Sequence, residues 1–148
     1  MKEKNIMVVK LREFNNIMGQ IEGAYHSAIV STGLSDSEFD IFYTINSEGD
    51  GCNQSLIYKL SGQSKSTINS AIKKMEQKGL LILKQSDGRN TKVFLTEAGR
   101  ELSKNTAEKI IQIENEAFSS WSPEEQKVFL ELNRRFLELF IEKSSELR

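Results

Sequence analysis

The sequence has 148 residues, a formal net charge of −1 and 38% hydrophobic residues, which suffices for one domain with a buried core. No apolar run approaches the roughly 18 residues of a membrane span, and the start, MKEKNIMVVKL, lacks the apolar stretch and cleavage site of a secretory signal. One cysteine and one histidine make neither a disulfide framework, nor a metal cluster, nor a nucleophile–base pair. We therefore predict a cytoplasmic protein that is not an enzyme and uses no metal, cofactor or membrane.

The basic charge is concentrated in the middle third of the chain. Residues 1–50 carry a net charge of −4, residues 51–100 a net charge of +6, and residues 101–148 a net charge of −3. This asymmetry is typical of a nucleic-acid-binding segment between two structural ones. Solvated lysine-rich helices, which bind nothing, remain the alternative interpretation.

Helical signals dominate the first third. We predict a long helix over 5–32 that ends at Gly33. The spacing of Ser35 and Glu38 in SDSE is that of a capping box and predicts a second helix. Its apolar stripe consists of Phe39, Phe42, Tyr43 and Ile45. The following segment 46–51, NSEGDG, is predicted to be a polar turn, with Cys52 placed in the turn before the next helix.

Two further helices are predicted around a short turn. The first covers 53–60, the turn SGQS covers 61–64, and the second covers 65–78, with Ser64 as N-cap and Gly79 at its end. One face of the second helix is an apolar stripe formed by Ile68, Ala71, Ile72 and Met75. The opposite face is polar and is edged by lysines, with Glu76 predicted to lie to one side; it carries Ser66, Asn69, Ser70, Lys73 and Gln77, with Lys65 and Lys74 at the margins.

One β-hairpin is predicted next, followed by helices. The β-prone runs 80–84 and 91–95 flank QSDGRN, in which the Asp-Gly pair favours a tight turn. Thr96 can cap a helix over 97–119. Ser122, Pro123 and Glu125 then form a strong start for the last helix.

The order of short helix, turn, second helix and hairpin is that of a helix-turn-helix with a wing. A helix with small polar side chains fits the DNA major groove, where Asn69 could pair with N6 and N7 of adenine. Lys65, Lys73 and Lys74 could neutralise phosphates, and Arg89 at the hairpin tip could enter a narrow minor groove. The alternative is a winged-helix module that binds proteins and no DNA.

The same stretch resembles the MarR family of bacterial winged-helix regulators. That family commonly shows Asp-x-Arg in the wing, five further residues and then Leu-Thr, and this chain reads Asp87-Gly88-Arg89, NTKVF and Leu95-Thr96. The segment SKSTINSAIKKMEQKGLL resembles the family's recognition helix. The chain departs from many members in carrying Ser70 where they have an arginine, so the operator sequence does not transfer.

The resemblance implies a fold and a function. The fold is mainly α with one small β-hairpin, divided into an N-terminal helix at 1–34, a winged helix-turn-helix domain at 35–96 and C-terminal helices at 97–148. The function is that of a repressor that binds double-stranded DNA and blocks promoter access, with the recognition helix in the major groove and wing 84–92 at the minor groove. Arg89 would enter that groove, Asp87 would orient its guanidinium, and Ser55 would lie near the DNA backbone. The predicted DNA-binding residues are Ser55, Ser64, Lys65, Ser66, Thr67, Asn69, Ser70, Lys73, Lys74, Asp87, Arg89, Asn90 and Lys92.

Both ends of the chain are unusually apolar for helices packed on one side. The last helix carries apolar residues on more than one stripe, and the first adds Ile6, Val9, Leu11 and Phe14. We predict that these helices form a homodimer, which would place its two recognition helices about 34 Å apart on a pseudo-palindromic operator. A larger monomeric core is the alternative. Trp121 is assigned to packing.

A small aromatic or apolar effector is also implied by the resemblance, which puts ligands between the dimer helices and the DNA-binding lobe. In this chain that region would be bordered by Tyr25, His26, Phe39 and Tyr43. Core packing is the alternative role for these side chains, and it is the one that the residue types alone favour. Cys52 could sense oxidants only if its pKa were lowered.

Overall fold

The computed structural model describes residues 2–86, 88 and 90–148, and side chains from residue 9 onward within those ranges. The chain divides into two compact units, Met1–Ile111 and Gln112–Arg148. None of the described helices is long and apolar enough to cross a membrane.

The first two helices are α1, Lys2–Ser31, and α2, Asp36–Glu48. Between them the backbone reverses at Gly33, whose φ of 86° favours glycine. The predicted capping box is confirmed: Ser35 Oγ accepts from the Glu38 N–H at 3.1 Å, and the Glu38 carboxylate accepts from the Ser35 N–H at 2.9 Å.

Helix α2 is longer than the sequence pattern indicates. Residues 46–48, predicted as part of a turn, are helical, and the turn begins only at Gly49. The Asn46 amide donates to the Phe42 carbonyl at 2.8 Å and to Ser103 Oγ at 2.9 Å. The second of these bonds spans 57 positions, so a local reading of the polar residues could not have found it.

The helix-turn-helix consists of α3, Gln54–Ser61, and α4, Lys65–Gln77. Gly62 makes the turn with a φ of 74°, and Ser64 caps α4 by accepting from the Thr67 N–H at 3.2 Å. The caps and the apolar stripe were both predicted correctly. Ile68, Ile72 and Met75 are each at most 1% exposed.

The hairpin is part of a small sheet with an additional strand. Strand β1 is Cys52–Asn53, β2 is Leu81–Gln85 and β3 is Thr91–Leu95, and all pair antiparallel in the order β1-β3-β2. The placement of Cys52 in a turn is therefore wrong. Two residues carry too little local β signal to predict a strand, and β1 exists because Gly51 and Cys52 reach Val93 on β3.

Residues 97–119 form two helices where one was predicted. Helix α5 is Glu97–Asn105 and α6 is Ala107–Ser119. The break lies at Thr106, which is 5% exposed and has φ −129° and ψ −85°. Its hydroxyl donates to the Leu102 carbonyl, which gives the side chain a partner inside the core. Helix α5 begins at the predicted cap, where Thr96 Oγ1 accepts from the Gly99 N–H at 3.0 Å.

The core of the first unit lies where α2, α3, α4 and the sheet meet. Its members are large aliphatic and aromatic side chains with little exposure. Those below 2% exposure include Phe42, Ile41, Ile45, Ile57, Ile68, Ile72, Met75 and Val93. This packing fixes α4 by its apolar stripe and leaves the polar face of the helix outward.

The second unit contains the end of α6 and helix α7, Pro123–Ser144, followed by a short 3₁₀ turn. Helix α7 starts at a capping box formed by Ser122 and Glu125, as predicted. Phe118, Trp121 and Phe129 pack together, and the rings of Trp121 and Phe129 meet edge to face at 5.0 Å. Trp121 therefore has a packing role.

Candidate nucleic-acid interface

The polar face of α4 is the largest part of the candidate site. Ser66, Ser70 and Lys73 are exposed, and so are Lys65 and Lys74 at its margins. Lys65 Nζ lies 5.8 Å from the centre of the Tyr58 ring on α3, a distance that allows a cation–π contact. The face thus combines small side chains, which allow close approach, with ammonium groups at its edges.

The turn before α4 is braced from α2. The Gln63 amide donates to the Asp40 carboxylate and its carbonyl oxygen accepts from Ser37 Oγ at 3.1 Å. Burial raises the pKa of Asp40, the hydrogen bond from Gln63 lowers it, and nearby Asp36 raises it further. Gln63 therefore connects the turn before α4 to α2. The carboxylate of this connection, Asp40, is partly buried, which disfavours its charged form.

Side-chain hydroxyls at the N-terminus of α4 form hydrogen bonds with one another. Ser64 Oγ lies 2.7 Å from Thr67 Oγ1 and 3.3 Å from Ser66 Oγ, in addition to capping the helix. Ser64 and Thr67, both predicted to contact DNA, thus have structural partners within the helix.

Asn69 is engaged by a residue that the sequence analysis missed. Gln54, the first residue of α3, donates from Nε2 to Asn69 Oδ1 at 2.9 Å. Both residues are half-buried. No sequence signal links positions 54 and 69, because the contact depends on how α3 packs against α4.

Two shallow recesses lie on either side of this amide pair. One, of about 190 Å³, is bordered by the pair, by Ser55 and Lys65, and by Asn90 and Thr91 at the hairpin. The other, of about 280 Å³, is bordered by the pair and by Ser70, Lys73, Glu76 and Leu83. Most predicted α4 residues therefore share one surface with the hairpin. Glu76 also borders it, so the polar face is less free of acidic groups than predicted.

The hairpin closes where the Ser86 N–H and Oγ both donate to the Asn90 carbonyl, at 2.9 and 3.0 Å. Gly88 in the loop has a φ of 81°, which explains the glycine after Asp87. Asp87 and Arg89, predicted at the wing tip, lie outside the described residues.

The stem of the hairpin carries a like-charge pair. Lys84 on β2 is directly opposite Lys92 on β3, and like charges at opposed positions destabilise a sheet. Lys84 Nζ is also 5.2 Å from the centre of the Phe94 ring. Lys84 was not among the predicted site residues, although the hairpin register, once known, places it beside Lys92.

The base of the hairpin is clamped by the turn after α2. Asp50 Oδ1 accepts from the Leu95 N–H at 2.8 Å, and the Gly51 N–H donates to the Val93 carbonyl at 2.9 Å. Gly51 has a φ of 89°, and a Cβ there would collide with the Phe94 ring. The hairpin is thus fixed by specific contacts with the turn after α2.

The four predicted ligand-binding residues lie along α1 and α2. The Tyr25 and Phe39 ring centres are 6.5 Å apart, and those of Phe39 and Tyr43 are 5.6 Å apart. Phe39 is 5% exposed and belongs to the core. His26 Nδ1 lies 2.9 Å from a carboxylate oxygen of Asp36, which joins α1 to the start of α2.

Cys52 is buried in β1. Burial raises the pKa of its thiol, and the nearby carboxylates of Glu48 and Asp50 act in the same direction. A thiol in this setting is disfavoured as a nucleophile at neutral pH. Within the described ranges, no group of three His, Cys, Asp or Glu residues is placed to hold a metal ion.

A sequence profile described as MarR family matches residues 32–89, from the end of α1 to the hairpin loop. No curated protein matches the chain by sequence. In fold the chain is similar to NMB1585, a MarR family regulator from Neisseria meningitidis, with a TM-score of 0.78 and 20% identity over 94% of this chain and 99% of that one.

Two further solved structures show the same fold. A MarR family transcriptional regulator from Silicibacter pomeroyi has a TM-score of 0.67 and 22% identity, with 84% of each chain covered. CouR from Rhodococcus jostii RHA1, bound to p-coumaroyl-CoA, has a TM-score of 0.59 and 22% identity over 84% of this chain and 86% of that one. The chain is therefore similar to the MarR family in sequence over its helix-turn-helix, and it shares the fold of MarR family regulators over most of its length.

Proposed function

We propose that the protein is a repressor that binds double-stranded DNA, with α4 in the major groove and the hairpin at the minor groove. The observation that carries this proposal is the shared surface of α4 and the hairpin, which lies in the segment of net charge +6. A polyanion is the partner that suits it, because Lys65 and Lys73 of α4 border this surface.

The paired lysines of the hairpin stem support the same partner. Lys84 and Lys92 repel each other in the free protein. A DNA phosphate near both lysines would offset their repulsion. DNA binding would then gain this relief in addition to the attraction of each lysine for the phosphate. We propose that Arg89 reaches the minor groove beyond this stem and that Asp87 orients it, as the family resemblance implies.

We further propose a homodimer built from the terminal helices. In the single chain, α7 has no buried residue, and α1 leaves Val9, Ile17 and Ile21 at least 48% exposed. Apolar surface of this extent marks an interface. A two-fold dimer would present two copies of α4 to a pseudo-palindromic operator.

We infer that a small aromatic or apolar molecule weakens the binding of the protein to DNA. The fold is shared with CouR, whose structure holds p-coumaroyl-CoA. In this chain the row of rings formed by Tyr25, Phe39 and Tyr43 joins α1 to α2. A ligand that separates α1 from α2 there would disturb α2, which braces the turn before α4.

The test of DNA binding is a salt titration with a labelled mixed-sequence duplex, followed by selection of bound genomic fragments. Affinity should fall steeply as salt rises from about 50 mM, because each neutralised phosphate releases a counterion. Arg89→Ala should weaken operator binding by about 1–3 kcal/mol with the dimer intact.

Lys104→Ala provides the control for lost charge, because Lys104 is an exposed residue of α5 away from the α4–hairpin surface. It should leave operator affinity unchanged. Absence of any binding at about 50 mM salt would refute DNA binding and favour the protein-interaction module. Unchanged affinity in a folded Arg89→Ala variant would refute the role of Arg89 alone.

A further inference from the structure

The amide pair of Gln54 and Asn69 forms the centre of the surface between α4 and the hairpin. We propose that Gln54 determines sequence specificity by fixing Asn69, so that Asn69 Nδ2 is presented as a donor to N7 of a purine in the major groove. This inference rests on the proposed DNA-binding function and adds to it a residue and a base atom.

The geometry of the pair sets the orientation of the Asn69 amide. Gln54 Nε2 donates to Asn69 Oδ1 at 2.9 Å, so the oxygen of Asn69 is directed towards α3. The NH₂ group at the other end of the same planar amide is then directed away from α3. An isolated asparagine on a helix would have no such preference, because its amide could turn either way.

The pair lines the surface that α4 shares with the hairpin, which is the surface proposed to meet the bases. Gln54 and Asn69 both border the recess that runs to Asn90 and the recess that runs to Lys73. A duplex that contacts both Asn90 at the hairpin and Lys73 of α4 would pass close to the pair, which borders both recesses. Neither residue is charged, so the pair affects which sequence is bound and not the electrostatic part of the affinity.

The donor orientation changes what Asn69 can read. A freely turning asparagine can pair with adenine through both N6 and N7. When Gln54 holds the oxygen towards α3, the NH₂ group is the part of the amide left to meet a base, and N7 is the acceptor that both purines present in the major groove. We therefore expect a purine preference at one position of each half-site, and not a strict adenine requirement.

The experiment starts from the operator selected by the wild-type protein and repeats the selection with Gln54→Met and Asn69→Ala. Methionine keeps the length of the side chain and lacks the amide. Both variants should lose the purine preference at the same position and should keep the salt dependence of binding. Gln112→Met, a change of the same type at an exposed residue of α6, is the matched control and should keep the preference.

A second measurement identifies the base atom. A 7-deazapurine at that position should lower wild-type affinity about tenfold, the effect of roughly one hydrogen bond. The same probe should change the affinity of Gln54→Met and of Asn69→Ala by less than about threefold, because the bond is already lost. Circular dichroism and the dimer mass show that each variant is folded.

The inference is overturned if Gln54→Met keeps the wild-type preference, or if the wild-type protein is insensitive to the 7-deazapurine. These failures differ from failure of the proposed function. In the latter case the wild-type protein would select no operator and show no salt-dependent binding at all.

Discussion

Helices α4 and α7 are both rich in apolar residues, but they use them in opposite ways. In α4, Ile68, Ile72 and Met75 are at most 1% exposed. In α7 no residue is buried, and Phe136, Phe140 and Ile141 are each at least 46% exposed. The apolar stripe of α4 is thus buried by its own chain, whereas much of the apolar surface of α7 stays exposed in the single chain.

This difference separates two sources of stability. The packing of α4 is intramolecular, so its contribution does not depend on protein concentration. Any stabilisation of α7 by a second copy must follow mass action and grow with concentration. Concentration dependence is therefore the property that distinguishes the two helices experimentally.

The largest expected effect is that of Ile72→Ala in α4. Removing a fully buried aliphatic side chain should lower the free energy of unfolding by about 2–5 kcal/mol, since it loses transfer free energy and leaves a cavity. Urea denaturation at two protein concentrations should give the same loss at both. A loss that vanished at high concentration would place Ile72 in an interface between chains and contradict the comparison.

A somewhat smaller effect is expected for Phe140→Glu in α7. A charge at the centre of an apolar interface should weaken the proposed dimer by roughly 2–3 kcal/mol, about 100-fold in Kd. Sedimentation equilibrium should show monomers at concentrations where the wild-type protein is dimeric. Glu131→Gln on the same helix is the control, and a Phe140→Glu variant that dimerises like the wild type would refute the role of α7.

The sequence was sufficient wherever structure depends on near neighbours. The capping boxes at Ser35 and Ser122, the cap at Ser64 and the stripe of α4 all follow from residues within one or two turns. The end of α2 and the break at Thr106 did not follow from the sequence, and for the end of α2 the reason is a packed partner. For Asn46 that partner is Ser103, distant in the chain.

The candidate site divides in the same way. The lysines and small side chains of α4 are visible in the sequence because the helical period assigns them to one face. The engagement of Asn69 by Gln54 and the pairing of Lys84 with Lys92 are visible only once α3 packs on α4 and the hairpin has its register. A composition pattern finds a charged surface but not the partners that orient its side chains.

Asp50→Ala tests whether the hairpin is held as firmly as α4. The variant removes the acceptor of the buried Leu95 N–H and should lower the free energy of unfolding by about 1–2 kcal/mol. Asp50→Asn retains the acceptor oxygen and should lose much less. Arg100, whose Nη2 is 3.8 Å from Asp50 and exposed, should matter little when replaced by alanine. Equal losses in Asp50→Ala and Asp50→Asn would assign the effect to charge and contradict the clamp.

The smallest effect is expected for Asp40→Asn, in the contact between α2 and the turn before α4. Burial raises the pKa of Asp40 in the folded protein, so the ionised carboxylate destabilises the fold at neutral pH. Asparagine removes that charge and keeps an oxygen for the Gln63 amide. The variant should therefore be slightly more stable than the wild type at pH 7, measured by urea denaturation. Because a raised pKa favours the folded state only when the group is protonated, the advantage should disappear as the pH falls below the ordinary value of 3.8. An advantage that persisted at acid pH would mean that the stability difference between the two proteins comes from shape or hydrogen bonding and not from the buried charge.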